Sequence, residues 1–135
     1  MIITIETPIQ LPHLCDFVKD KFGRVDKATS DLLTKAIASD RCLLIAHQRK
    51  GDLLGWICAE IVIDPVTESD PAVMIKSWFI DKGDHGSGDC LLSHIRNWAR
   101  DHNAVRIYIL SKTKPDFLKR KYGFRHVESL LTVEV

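Results

Sequence analysis

Apolar and polar positions recur with two different periods along the chain. Residues 2–5 (IITI) are β-branched and predict a short first strand. Pro12 suits the first turn of a helix, and Leu14, Phe17, Val18 and Lys21 continue at helical spacing until Gly23 ends it. Ser30 suits an N-cap, and Leu32, Leu33, Ala36 and Ile37 form the apolar stripe of a second helix reaching Asp40. The period then shortens. Residues 41–48 (RCLLIAHQ) have strand length, 49–52 (RKGD) carry a turn signal, and 53–63 (LLGWICAEIVI) form a long strand rich in Ile, Val and Trp. An acidic, proline-bounded loop follows at 64–71 (DPVTESDP), then a strand at 72–81 (AVMIKSWFID). Helical spacing returns with Leu91, Leu92, Ile95, Trp98 and Ala99, while Ser93, His94, Arg96 and Asn97 face away, and Asn103 suits the end of this helix. Residues 105–110 (VRIYIL) predict a strand and 115–121 a short helix. Residues 124–135 contain a last strand, in which Leu131, Val133 and Val135 alternate with Thr132 and Glu134.

The order β-α-α-β-β-β-α-β-α-β belongs to the α/β class. The run of strands from 41 to 81 reads as an antiparallel meander, and the step from 72 to 110 reads as βαβ. The central sheet is therefore expected to be mixed, antiparallel at the N-terminal side and parallel in the middle. No repeat or linker interrupts residues 1–135, which read as a single domain.

Composition narrows the function classes. With 45% apolar residues the chain can bury a sizeable core, and a net charge of +1 provides no global field for nucleic acid or an anionic membrane. Cys15, Cys42, Cys58 and Cys90 include no CxxC pair, so neither a structural zinc site nor any other metal site is expected, and free thiols in a reducing compartment are the simpler reading. The N-terminus lacks the pattern of a signal peptide, and no apolar run approaches the roughly 18 residues of a membrane span. A soluble, cytoplasmic protein is the expectation, with no membrane partner.

The stretch KGDHGSGDCLL, residues 82–92, carries the chemistry. Gly83 and Gly88 have the spacing of a phosphate loop, but Asp89 and Cys90 stand where lysine and a hydroxyl residue should follow, which excludes a nucleotide triphosphatase. The spacing G-x-x-G-x-G also fails the dinucleotide fingerprint. A glycine loop between a strand and an amphipathic helix still suits an anion, because the first helical turn leaves N–H groups unpaired at the positive end of the dipole. Glycines that only turn a strand into a helix are the alternative.

In this order of elements, GDHGSG (83–88) resembles the R/Q-x-x-G-x-G/A signature of the GNAT family of N-acetyltransferases. Leu91 matches the leucine that follows it, and DFLKRKYGFRHV (116–127), with Gly123-Phe124, is similar to the family's later motif. The resemblance covers nearly the whole chain. It implies a GNAT-like acyl-CoA N-acyltransferase fold and direct transfer of an acetyl group from acetyl-coenzyme A to an amine in a ternary complex. It further implies that backbone groups at His85, Gly86, Ser87, Gly88 and Asp89 hold the pyrophosphate. Strand amides at Phe79 and Ile80, where two strands splay, would hold the pantetheine arm. Gly83 replaces the signature's Arg or Gln, with Lys82 as a substitute donor. Lys119 stands where the family often has the tyrosine that protonates the departing thiolate; Lys119 could hydrogen-bond a thiolate, and Tyr122 lies one helical turn on. The shortness of the chain is similar to that of compact GNAT-like proteins of tailed bacteriophages.

The residues add candidates of their own. Glu60 is a lone carboxylate in an apolar strand, where burial would suit a general base; an outward-facing position is the alternative. Asp81 and the loop histidine His85 are further titratable groups near the glycines. Lys112, Lys114, Lys119, Arg120, Lys121 and Arg125 form a basic cluster that suits the phosphates of coenzyme A or a solvated helix face. Few aromatics interleave with these charges, which disfavours nucleic acid. Trp56, Trp78 and Trp98 sit in apolar runs and read as core. Asp64, Glu68 and Asp70 could attract a cationic amine, and loops at 22–30 and 64–71 would shape the acceptor side. A catalytically inactive binding or structural protein on the same fold stays open as the second reading, and a nucleic-acid-binding module as the third. A homodimer is compatible with the sequence, and the acceptor amine is not encoded in any signature.

Overall fold

A computed structural model describes residues 2–4, 31, 34–50, 52–80, 86–110, 115–125 and 133–134. Five strands form one sheet in the order β1 (Ile2–Thr4), β2 (Cys42–Arg49), β3 (Asp52–Ile63), β4 (Pro71–Ile80) and β5 (Ile107–Ile109). The first three pairings are antiparallel and β4–β5 is parallel, as the sequence pattern predicted. Helix α1 (Ser87–Asp101) connects β4 to β5, and α2 (Pro115–Tyr122) follows β5. Residues 34–37 are also helical, within the span expected for the second helix. The expected first helix (12–23), and the expected last strand over residues 126–132 and at Val135, lie outside the described residues; Val133 and Glu134 are not in a strand. Among the described residues, no helix is long and apolar enough to cross a membrane.

The sheet separates two apolar clusters. Leu44, Ala46, Trp56 and Cys58 pack with Ala36 on one face. Ile45, Ile57, Ala59, Val73 and Ile75 pack on the other with Leu91, Leu92, Ile95 and Ala99 of α1 and with Tyr122. Each fully buried aliphatic side chain here contributes roughly 1.5–3 kcal/mol. The exposed Ser93, His94, Arg96 and Asn97 confirm the face of α1 read from its spacing. The helix closes through Asn103, whose φ of 58° is the left-handed conformation that asparagine tolerates, with Ala104 N–H bonded to Ala99 O at 2.9 Å. Its start differs from the expected loop-then-helix boundary, because Ser87 and Gly88 already belong to α1 and Gly86 is its N-cap.

One irregularity positions the site. Cys58 pairs with Ser77 and Ala59 with Ile75, so Lys76 is an extra residue in β4. This bulge resets the alternation: Val73 and Ile75 before it share a face with Trp78 after it, while Phe79 joins Trp56 on the opposite face. The ladder between β4 and β5 runs only from Val73–Ile107 to Ile75–Ile109. Beyond the bulge, Ser77–Ile80 continue past the last described pairing of β4 with β5.

Candidate functional site

The segment of β4 beyond the bulge leads towards the first turn of α1. Gly86 caps the helix without a side-chain hydrogen bond, and a Cβ added there would meet no described atom within 4 Å. Gly88 is different. A Cβ there would fall on the hydroxyl of Tyr122 and lie 2.9 Å from Ile80 Cδ1. The space released by Gly88 is thus occupied from within the protein, whereas no described residue fills that beside Gly86. Ser87 has no exposed surface, and its Oγ shares a hydrogen bond with His47 Nδ1. Asp89 is exposed in the first turn.

Tyr122 ends α2, before Gly123 (φ 75°) and a bond from Phe124 N–H to Leu118 O of 3.3 Å. Its ring lies 5.0 Å from that of Trp78, centroid to centroid, and it is buried. Burial, with the Asp89 carboxylate, pushes its phenol above the ordinary value, so the hydroxyl keeps its proton at neutral pH. Lys119 is exposed on the same helix, as are Arg120 and Lys121, and Lys121 Nζ sits 5.5 Å from the Tyr122 ring centroid. Of the two α2 candidates, the structure brings Tyr122 to the glycine turn and leaves Lys119 at the surface. The Trp78 indole N–H is buried with no acceptor among the described residues.

Glu60 lies elsewhere. It shares a face with Trp56 and Cys58 and is half-buried, with Cys42 Sγ donating to its Oε2 at 3.7 Å. It opposes Met74, four residues before Trp78 and so about 13 Å along the strand. Glu60 and Tyr122 therefore approach the bulge from opposite faces and cannot both touch one reacting atom. The neighbouring thiols are not activated: burial pushes Cys58 up to about 12, and burial with the nearby Glu60 raises Cys42 despite a hydrogen bond with Ser39.

Phe79 stacks edge-on against Trp56 at 4.9 Å, and Trp56 donates to Ser77 Oγ at 3.1 Å, as a core tryptophan would. Ile80 reaches Gly88. Asp81, Lys82, Gly83, His85, Lys112, Lys114 and the loop 22–30 lie outside the described residues.

The acidic loop requires a correction. Asp64 has no exposed surface and cannot attract an amine: it accepts from Arg106 at 2.8 Å, Tyr108 at 2.7 Å and Val66 N–H at 2.8 Å. Burial alone would raise its carboxyl, but these donors outweigh burial and hold it below the ordinary range. The loop also joins the ends of β3 and β4 remote from the glycine turn, roughly 30 Å along β4. Its carboxylate staples β5 to the β3–β4 connection.

His47, Gly55 and the Lys76 bulge escaped sequence reasoning. A polar residue in an otherwise apolar strand was the available signal for His47, and the glycine inside a long strand the signal for Gly55. A Cβ at Gly55 would stand 2.5 Å from Phe79 O, so only glycine fits.

No protein-family model and no curated protein matches the sequence. Solved structures do match. AAC(6')-Iy in complex with the bisubstrate analog CoA-S-monomethyl-acetylneamine superimposes with a TM-score of 0.80 at 17% identity, covering 100% of this chain and 97% of the other. The aminoglycoside 6'-N-acetyltransferase AAC(6')-IG from Acinetobacter haemolyticus gives 0.82 at 12% identity with the same coverage. A GNAT family acetyltransferase from Staphylococcus aureus gives 0.73 at 15% identity, covering 100% and 98%. Together with the mixed sheet, the bulged β4 and the crossover helix at its open end, these likenesses show that the chain has the GNAT acyl-CoA N-acyltransferase fold.

Proposed function

We propose that the protein is a divergent GNAT N-acetyltransferase that binds acetyl-coenzyme A at the open end of β4 and transfers its acetyl group to an amine. The observation that carries this reading is that the end of β4, Ser77–Ile80, runs past its last described pairing with β5 to the first turn of α1, where among the described residues there is open space at Gly86, at the positive end of the helix. An extended amide-bearing arm ending in a pyrophosphate matches both features. The exposed Lys119, Arg120, Lys121 and Arg125 add positive charge nearby for the phosphates. CoA complexes among the similar structures support the same cosubstrate.

When bound, acetyl-coenzyme A supplies an activated acetyl thioester. The chain's own part is mainly to hold two reactants in register. Attack by the neutral amine forms the C–N bond and breaks the C–S bond. Tyr122 gives its hydroxyl proton to the departing sulfur, and its raised pKa keeps that proton available. Glu60 takes the amine's proton through intervening water, as its separation from Tyr122 requires. An inactive member of the fold is the second reading, favoured by the burial of Ser87 and Gly88, which narrows the exposed part of the first turn.

Saturating CoA should raise the melting temperature; at 100 times the dissociation constant the gain is about 2.7 kcal/mol. Free thiol should then appear from acetyl-CoA with some member of a panel of primary amines. No thermal shift with either CoA or acetyl-CoA contradicts the proposal, and a shift without thiol release selects the inactive reading.

A further inference from the structure

A row of residues crosses the sheet beneath the first turn of α1. Ile2 pairs with His47, His47 with Gly55, and Gly55 with Ile80. The turn is held from this row at two points: Ile80 lies beside Gly88, and His47 bonds to Ser87. Along β2, His47 follows Leu43 and Ile45 on the face that α1 covers, where an apolar side chain would satisfy packing. An imidazole with only 7% of its surface exposed stands there instead. Burying such a group is unfavourable unless it is hydrogen-bonded, and Ser87 supplies a fully buried partner. The β2–β3 register shifts directly after His47, the kind of irregularity that re-aims a side chain. Gly55, next in the row, places no side chain between His47 and Ile80.

The need for such a hold comes from α1 itself. Its N-cap, Gly86, contributes no side-chain cap of its own, so a hold from below adds to what fixes the first turn. A capping side chain would also occupy the space that is open at Gly86. Fixing the turn from below, through Ser87, leaves its outer side clear.

The geometry points to His47 as a positioning residue for the cofactor: through Ser87 it sets the first turn of α1 against the open end of β4, where the pyrophosphate docks. This rests on the coenzyme A reading above. His47 itself touches no substrate.

His47→Ala, His47→Asn and Ser87→Ala separate this role from plain stability. Asparagine places an amide atom near the position of Nδ1. Calorimetric titration of the full chain would use CoA and, as a probe without pyrophosphate, pantetheine. Loss of the bond should weaken CoA about tenfold in His47→Ala and Ser87→Ala, while pantetheine changes less than about twofold and His47→Asn recovers most of the CoA affinity. If His47→Ala does not fold, Ser87→Ala carries the test, since it deletes a single oxygen. Folded variants that bind CoA like the wild type overturn the inference, as do variants that lose CoA and pantetheine equally. A wild type that binds no CoA removes the underlying functional reading instead, and this inference falls with it.

Discussion

Replacing Gly88 by alanine sets two effects of opposite sign against each other. Gly88 lies inside α1, where alanine is favoured over glycine by about 0.8–1 kcal/mol. The new methyl, however, falls on the Tyr122 hydroxyl and lies 2.9 Å from Ile80 Cδ1 and 3.0 Å from Tyr122 Cζ. Overpacking of this kind costs about 1–3 kcal/mol, and both opposing side chains belong to buried or strand-anchored positions. The clash should win, leaving Gly88→Ala less stable by up to about 2 kcal/mol. Tyr122→Phe removes the atom struck most directly and leaves contacts only a few tenths of an ångström too short. In that background the same substitution should be close to neutral. The coupling in a double-mutant cycle should therefore be of the same size, read from urea unfolding at constant m. Additivity within about 0.5 kcal/mol, or a Gly88→Ala variant more stable than the wild type, would refute the packing of Tyr122 over Gly88 on which the site description rests.

Gly86→Ala is the contrasting case. Loss of a glycine N-cap and gain from a stiffer unfolded chain are each about 0.5–1 kcal/mol and opposed, so stability should stay near wild type while CoA affinity falls about tenfold or more by titration. Tyr122→Phe should lower kcat by about a hundredfold with little change in the KM for acetyl-CoA, and the wild-type rate should not lose this acid until pH rises above the ordinary phenol value of 10.0. Asp64 contributes stability that is present above its unfolded pKa, near 3.8, and is lost as pH falls through its lower folded value; Asp64→Asn should be less stable at neutral pH and show a shallower acid limb in pH-dependent unfolding. Alkylation followed by peptide mapping at pH 8 should label the exposed Cys90 first and Cys58 only after unfolding, given a thiol pushed up to about 12.

The strands and the crossover helix were legible because their information is local. Short apolar runs over 41–48 and 53–63, with a turn signal between them, and the 3.6-residue spacing from Leu91 to Ala99 each need only near neighbours, and residues 115–121 read as a short helix in the same way. The glycine turn was legible as a place but not as a mechanism. That Gly88 accommodates Tyr122 depends on α2 folding back over α1, a contact between residues distant in sequence. For the same reason the choice between Lys119 and Tyr122 could not be made from the motif: the helical register that turns Tyr122 inward and Lys119 outward is set by packing on Trp78. Asp64 read as a loop acid because its partners, Arg106 and Tyr108, arrive from β5. His47 showed only as one polar residue in an apolar run until Ser87 was found above it. The Lys76 bulge, which follows the last described β4–β5 pair, has no marker in the strand's composition.

The central claim is that coenzyme A occupies the open end of β4, and a crystal structure of the protein with CoA tests it most directly. The account predicts the pantetheine arm along Ser77–Ile80, the pyrophosphate against Gly86, and Tyr122 on the sulfur side of the α1 turn. CoA bound at another surface, or an open end that stays empty at saturating CoA, would contradict it.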